Sequence, residues 1–212
     1  MFIESLKEQL QRNKRLFIGE ETAFQASIMV PLVEVDNEWH VLFQVRSLTL
    51  RKQPGDISFP GGRIDSSDST PLAAAIRETH EELGIDPTDI EVIGEISPYI
   101  STPSFVVYPF VAKLDQKKII INKDEVEKVF TIPLPWLLQC EPSKHIVEIH
   151  PQPAEDFPFE KIMNGKNYQW RNRALEEYFY DYDTYTIWGL TARILKHFIE
   201  IIKTEKDGNF PF

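Results

Sequence analysis

An α/β/α sandwich built around a mixed β-sheet is the architecture this sequence predicts, on three observations. Apolar residues recur at helical spacing near both ends, from Phe2 to Leu10 and from Ile187 to Phe198. Between them lie several segments of strand-like alternation separated by turn residues. One short helix, acidic along one side, interrupts those strands between Thr70 and Gly84. Helix, strands, acidic helix, more strands and a final helix is the order of a sheet covered on both faces.

The elements follow in turn. Phe2, Ile3, Leu6 and Leu10 predict an amphipathic lead helix over residues 2–15. Ala26 to Val35 and Glu38 to Arg46 alternate on either side of Asp36-Asn37 and predict a hairpin. Phe59-Pro-Gly-Gly-Arg63 cannot be helical, and its proline and glycine pair predict a loop with close backbone approach. In the next helix Thr70 is the expected N-cap, Pro71 suits the first turn, and Gly84 before Asp86-Pro87 is the stop. Ile90 to Ile96, Val106 to Leu114 and Lys117 to Ile121 read as strands, and Pro133 to Gln139 as a short helix. Residues 141–170 read as irregular around one or two short strands, and Tyr178 to Tyr182 as the last strand. Thr186 to Lys203 then predicts a terminal helix with Ile187, Leu190, Ile194, Leu195 and Phe198 inward. The expected organisation is a single domain over residues 1–212, with a helical extension at about 1–17 and the last helix within about 184–205.

The acidic helix carries the chemistry. Glu78, Glu81 and Glu82 stand at i, i+3 and i+4 and so share one helical face. Such like charges repel by some tenths of a kcal/mol per pair, a cost that a divalent cation reverses. Counting about 100° per residue, Leu72, Ile76, Thr79 and Leu83 form the expected buried stripe, with the three glutamates pointing broadly away from it. Most acidic helical faces are solvated surface. Here the helix is short, well bounded and preceded by a glycine-rich loop.

Gly62, Asp68, Arg77, Glu78, Glu81, Glu82, Gly84 and Ile85 together resemble the Nudix box. Asp68 stands where that pattern has Glu, eight residues instead of seven separate it from Arg77, and Thr79 replaces an apolar residue. The segment Leu42 to Gly62 is similar to the additional motif of the coenzyme A diphosphatase branch, matching at Arg46, Ser47, Leu50, Arg51, Gly55, Phe59 and Pro60-Gly61-Gly62. Gln53 and Asp56 replace a His and a Gln of that motif, and Ile187 to Ala192 also resembles a segment of the branch. The resemblance covers residues from about Ile28 to Phe198 and implies the Nudix fold.

It further implies Mg²⁺ or Mn²⁺ held by Glu78, Glu81 and Glu82, with Arg77 fixing their geometry through ion pairs that include Asp68. The general base is Glu78 or Glu125; an exposed loop carboxylate is an equal reading of Glu125. Gly61 and Gly62 would let the loop approach the helix, and Arg46 and Arg51 would contact a phosphate-bearing substrate. The implied reaction is hydrolysis of coenzyme A or a derivative to 3′,5′-ADP and 4′-phosphopantetheine. The alternatives are a diphosphatase for ADP-ribose or another nucleoside diphosphate derivative, and a Nudix module that binds nucleotides without turnover.

Composition bounds the partners. A net charge of −10 disfavours non-specific nucleic-acid binding, while Arg46, Arg51, Lys52 and Arg63 leave room for a locally cationic substrate wall. The single Cys140 allows no internal disulfide, no apolar run approaches a membrane span, and the first residues lack a signal-peptide layout, so a cytoplasmic location is expected. A homodimer is open. His40, His80, His145, His150 and His197 have no metal-ligand spacing. Trp188 and Phe198 are expected in the core, and Tyr99, Ser101, Phe105 and Tyr108 either line the substrate cleft or pack in the sheet.

Overall fold

In the computed structural model, which describes residues 2–12, 17–102 and 104–206, β1 (Phe24–Val35) and β2 (Glu38–Arg46) form the expected hairpin. Asp36 and Asn37 sit at φ 50° and 64°, the left-handed pair that a two-residue turn between twisted strands requires. The lead helix α1 is Phe2–Arg12, and the remaining residues of its expected span lie outside the described ones.

Six more strands join β1 and β2 in one mixed sheet: β3 (Ile57–Ser58), β4 (Gly61–Arg63), β5 (Glu91–Glu95), β6 (Tyr99–Thr102), β7 (Phe105–Lys113) and β8 (Val126–Pro133). The central path runs β3-β2-β1-β7-β5, with β4 against β1, β6 against β7 and β8 against β2. Among the described residues β1 and β7 run parallel and the other pairs of this sheet are antiparallel. A second sheet holds β9 (Ser143–Ile149), β10 (Arg173–Tyr182) and β11 (Tyr185–Ile187).

Alternation along β1 sorts the two faces. Met29 and Val33 point to one side, where Leu42, Phe110 and Ala112 meet Ala75 and Leu83 of α2 (Pro71–Leu83). Ile28 and Val30 point to the other, where Phe43 and Val107 meet Leu137 of α3 (Leu134–Gln139) and Leu195 and Phe198 of α4 (Gly189–Lys206). Phe43 stacks between Phe59 and Phe130 at 5.1 and 5.5 Å, contacts worth about 0.5–1.5 kcal/mol each beyond their burial. The helices therefore cover both faces of the mixed sheet, as expected. Among the described residues no helix is long and apolar enough to cross a membrane.

Several expectations are corrected. Gly61–Arg63 is a strand and not a loop, because its backbone pairs with Ala26 to Ile28 of β1. Lys117 to Ile121 is not a strand; Gln116–Lys118 forms a 3-10 turn, and Ile120 then donates its N–H to the Leu83 carbonyl at 2.8 Å. β10 begins earlier than expected and β11 follows it, so Thr186 and Ile187 belong to a strand and α4 starts only at Gly189. Strands β6 and β8 were not expected at all.

Candidate active site

Local signals place the acidic helix as expected. Thr70 caps α2 by accepting the Ala73 N–H at 3.1 Å, an interaction worth about 1 kcal/mol, and Gly84 closes it in the left-handed conformation. Ahead of the helix, the Asp65 N–H donates to the Asp68 carboxylate at 2.8 Å, turning that carboxylate toward Arg77. Arg77 grips Asp68 with two bonds, Nε at 3.1 Å and Nη2 at 3.0 Å, and donates from Nη1 to Glu78 at 2.9 Å and Glu81 at 3.0 Å. Its Nη2 also reaches the Arg63 carbonyl at 3.1 Å, tying β4 to the helix. This planar fork satisfies three carboxylates and one carbonyl, which a lysine cannot do. The Arg77 guanidinium holds the Asp68 carboxyl below its ordinary pKa, and Asp68 in turn pushes that of Arg77 upward.

Glu82 departs from the expected picture. It is only 3% exposed and lies under β4, where its Oε2 accepts the Gly61 N–H at 2.8 Å. The helical wheel pointed it to solvent because the wheel knows nothing of the strand folded over that face. Close approach explains both glycines: a Cβ on Gly61 would lie 2.3 Å from the Ser27 carbonyl oxygen, and one on Gly62 would lie 2.5 Å from the Glu78 carboxylate. Burial pushes the Glu82 carboxyl up to about 7, against the pull of the Gly61 N–H and the Gln44 amide, and the charges of Glu78 and Glu125 add to the rise. Burial also raises Glu78, with Arg77 opposing it and Glu81 and Glu125 reinforcing it.

Glu125 is half-buried and stands close enough for its charge to act on both Glu78 and Glu82. Backbone bonds bring it there. The Asn122 N–H donates to the Glu82 carbonyl at 2.9 Å, and the Ser47 N–H donates to the Glu125 carbonyl at 2.8 Å. The segment after the 3-10 turn is therefore pinned between the end of α2 and the end of β2.

Beside Gly61 and Gly62 opens a cavity of about 360 Å³, walled by Ala26, Ile28, Val107 and Ile194 and by the polar Arg46, Gln53, Asp56 and Ser58. The Arg46 Nε is buried and has no hydrogen-bond partner among the described residues. Gln53 and Asp56, the two departures from the motif, both reach this cavity. Arg51 is exposed and is not part of its wall, so the structure brings Arg46 and not Arg51 to Gly61 and Gly62. Trp188, expected in the core, is 50% exposed at the cavity mouth and stacks on Phe179 at 6.0 Å. Its strand-to-helix position, just before Gly189, was hidden by the late start of α4. Of the aromatic candidates, Tyr99 lines a separate cavity against α4, Phe105 packs on Phe24, and Tyr108 donates its hydroxyl to Glu20.

The donor set is of hard oxygens, which suits Mg²⁺ or Mn²⁺. Among the described residues, three acidic, imidazole or thiolate groups do not converge on one point, since Arg77 draws Glu78 and Glu81 to itself and Gly61 draws Glu82. Glu82 is nevertheless a buried carboxylate with no Lys, Arg or His within ion-pairing distance among the described residues. A buried charge in that condition is costly unless a cation meets it. The residues present thus fit a divalent cation.

The family profile described as NUDIX domain matches residues 23–152. The peroxisomal coenzyme A diphosphatase NUDT7 of Mus musculus is 38% identical over 113 residues, covering 53% of this chain and 48% of that protein. The chain thus spans about half the length of that relative. The Nudix hydrolase NudL of Salmonella paratyphi B is 33% identical over 174 residues, covering 81% of this chain and 79% of that protein. Among solved structures, a MutT/nudix family protein from Enterococcus faecalis gives a TM-score of 0.49 at 16% identity, covering 96% of this chain and 70% of that one.

Proposed function

Since the chain belongs to the Nudix family, we propose that it is a metal-dependent diphosphatase that hydrolyses coenzyme A, or a derivative of it, to 3′,5′-ADP and 4′-phosphopantetheine. The observation that carries this reading is the buried Glu82 beside the Gly61-Gly62 backbone, which edges a cavity walled in part by Arg46, whose buried Nε meets no partner among the described residues. The name of the mouse relative supports coenzyme A as the substrate class.

Glu78, Glu81 and Glu82 would hold Mg²⁺ or Mn²⁺. When bound, the cation neutralises diphosphate charge and lowers the pKa of a coordinated water. Arg77 keeps the carboxylates in register through its bonds to Glu78, Glu81 and Asp68. Glu78 or Glu125 takes the proton of the attacking water, a reading supported by the charge of each raising the pKa of Glu82. Water oxygen adds to one phosphorus, the anhydride P–O bond breaks in line, and the leaving phosphate departs with the electron pair. Arg46 anchors a phosphate of the substrate and the apolar walls take the remainder. Residues 1–212 acting as one domain, in the cytoplasm, are part of the same proposal.

One observation favours a second substrate. Asp56 places a carboxylate in the cavity wall, which suits the ribose hydroxyls of ADP-ribose better than an additional phosphate. The test is kcat/KM with Mg²⁺ or Mn²⁺ on coenzyme A, ADP-ribose, NADH, diadenosine polyphosphates and dNTPs. Coenzyme A is expected to lead. A preference for ADP-ribose by about tenfold, or 1.4 kcal/mol in transition-state binding, overturns the substrate assignment.

A further inference from the structure

The second sheet ends in an edge that the catalytic reading leaves unused. β9 is its outer strand, paired along one side only, and its register with β10 runs without a bulge from Ser143 opposite Phe179 to Ile149 opposite Arg173. Among the described residues no strand pairs with its other side. All seven residues of β9 are exposed, including Ile146 at 56%, Val147 at 47% and Ile149 at 45%. A regular, proline-free edge that exposes Ile146, Val147 and Ile149 is a template for another strand.

The charges of β9 say which strand. Lys144 and Glu148 lie two residues to either side of Ile146, on the same face of the strand. We propose that β9 pairs edge to edge and antiparallel with β9 of a second copy of this chain, in the register centred on Ile146, joining the two three-stranded sheets into one. In that register Lys144 of each copy faces Glu148 of the other, Ile146 meets its own counterpart, and His145 faces Val147. Sliding the centre to His145 sets Glu148 against Pro142, and sliding it to Val147 sets Lys144 against His150, so neither neighbouring register pairs the charges. Within its own chain Lys144 bonds Glu176 of β10 at 3.0 Å, on the same face of the sheet as Ile146. The strand is its own electrostatic complement, the property a two-fold interface demands.

The test uses charge reversal in the full chain, followed by sedimentation across a concentration series. The native chain is expected to dimerise, and Lys144→Glu and Glu148→Lys are each expected to weaken the dimer more than about tenfold, since each sets like charges against each other twice. An equimolar mixture of the two variants restores complementary pairs at both positions and is expected to form a heterodimer, an outcome a misfolded variant could not produce. A native chain that stays monomeric overturns the proposal. So does a dimer insensitive to both reversals, or a mixture that fails to associate. Coenzyme A turnover is not used in the readout, so failure here leaves the catalytic proposal standing.

Discussion

Replacing Glu82 with Gln should make the metal-free protein more stable at alkaline pH while disabling it as a metal site. Glu82 is 3% exposed, and its carboxyl is raised from 4.5 to about 7, chiefly by burial. At about 1.4 kcal/mol per pH unit that displacement is worth about 3 kcal/mol. A carboxyl whose folded-state pKa lies above its unfolded value stabilises the fold fully below pH 4.5, and that contribution is lost as pH rises through about 7. Glutamine has the same shape and no charge to desolvate. Its carbonyl can accept the Gly61 N–H as the carboxylate does. In EDTA, urea unfolding at pH 5 and pH 8 should therefore show the wild type losing about 3 kcal/mol more than Glu82→Gln across that interval, a difference of roughly 6–12 °C in Tm for a chain of this size. Added Mn²⁺ should stabilise the wild type at pH 8 and leave the variant nearly unchanged. Equal pH dependence in the two proteins, or a variant less stable than wild type at pH 8, would refute the reasoning.

Arg46→Ala should raise KM for coenzyme A by about tenfold or more through loss of a charge-assisted contact, whereas Arg51→Ala, outside the cavity wall, should change it less than about twofold; steady-state kinetics on the pair decides. Gly62→Ala should retain its circular dichroism but lose about 10²-fold in kcat, because its Cβ would sit 2.5 Å from the Glu78 carboxylate and displace it. Full activity in that variant would show that Glu78 need not lie where the structure places it.

What was legible in the sequence was local. The Asp36-Asn37 turn, the Thr70 cap and the Gly84 stop act through a few neighbouring atoms, and each appears where its residues predict. Arg77 and Asp68 also meet as expected, since the helix start and the Asp65 turn fix both. What escaped depends on distant partners. Gly61–Arg63 is extended only because β1 lies beside it, and Val126–Pro133, with Glu127 and Lys128 breaking its apolar pattern, is a strand only because β2 offers an edge. The same cause hid the burial of Glu82, whose cover comes from β4, and the exposure of Trp188, which follows β11 where that strand has paired with β10 and α4 has not yet begun. The clamp that brings Glu125 to the helix is built from backbone bonds, which no side-chain pattern announces.

In the proposed reaction Glu78, Glu81 and Glu82 act as one metal-dependent hydrolytic centre. Turnover of coenzyme A measured across a Mn²⁺ titration, for the wild type and for Glu82→Gln, tests it most directly. The wild type is expected to release 3′,5′-ADP in a metal-dependent way and the variant to lose more than about 100-fold, beyond the 10–100-fold typical of groups that only support a ligand. Turnover that needs no metal, or a variant that keeps its activity, would contradict it.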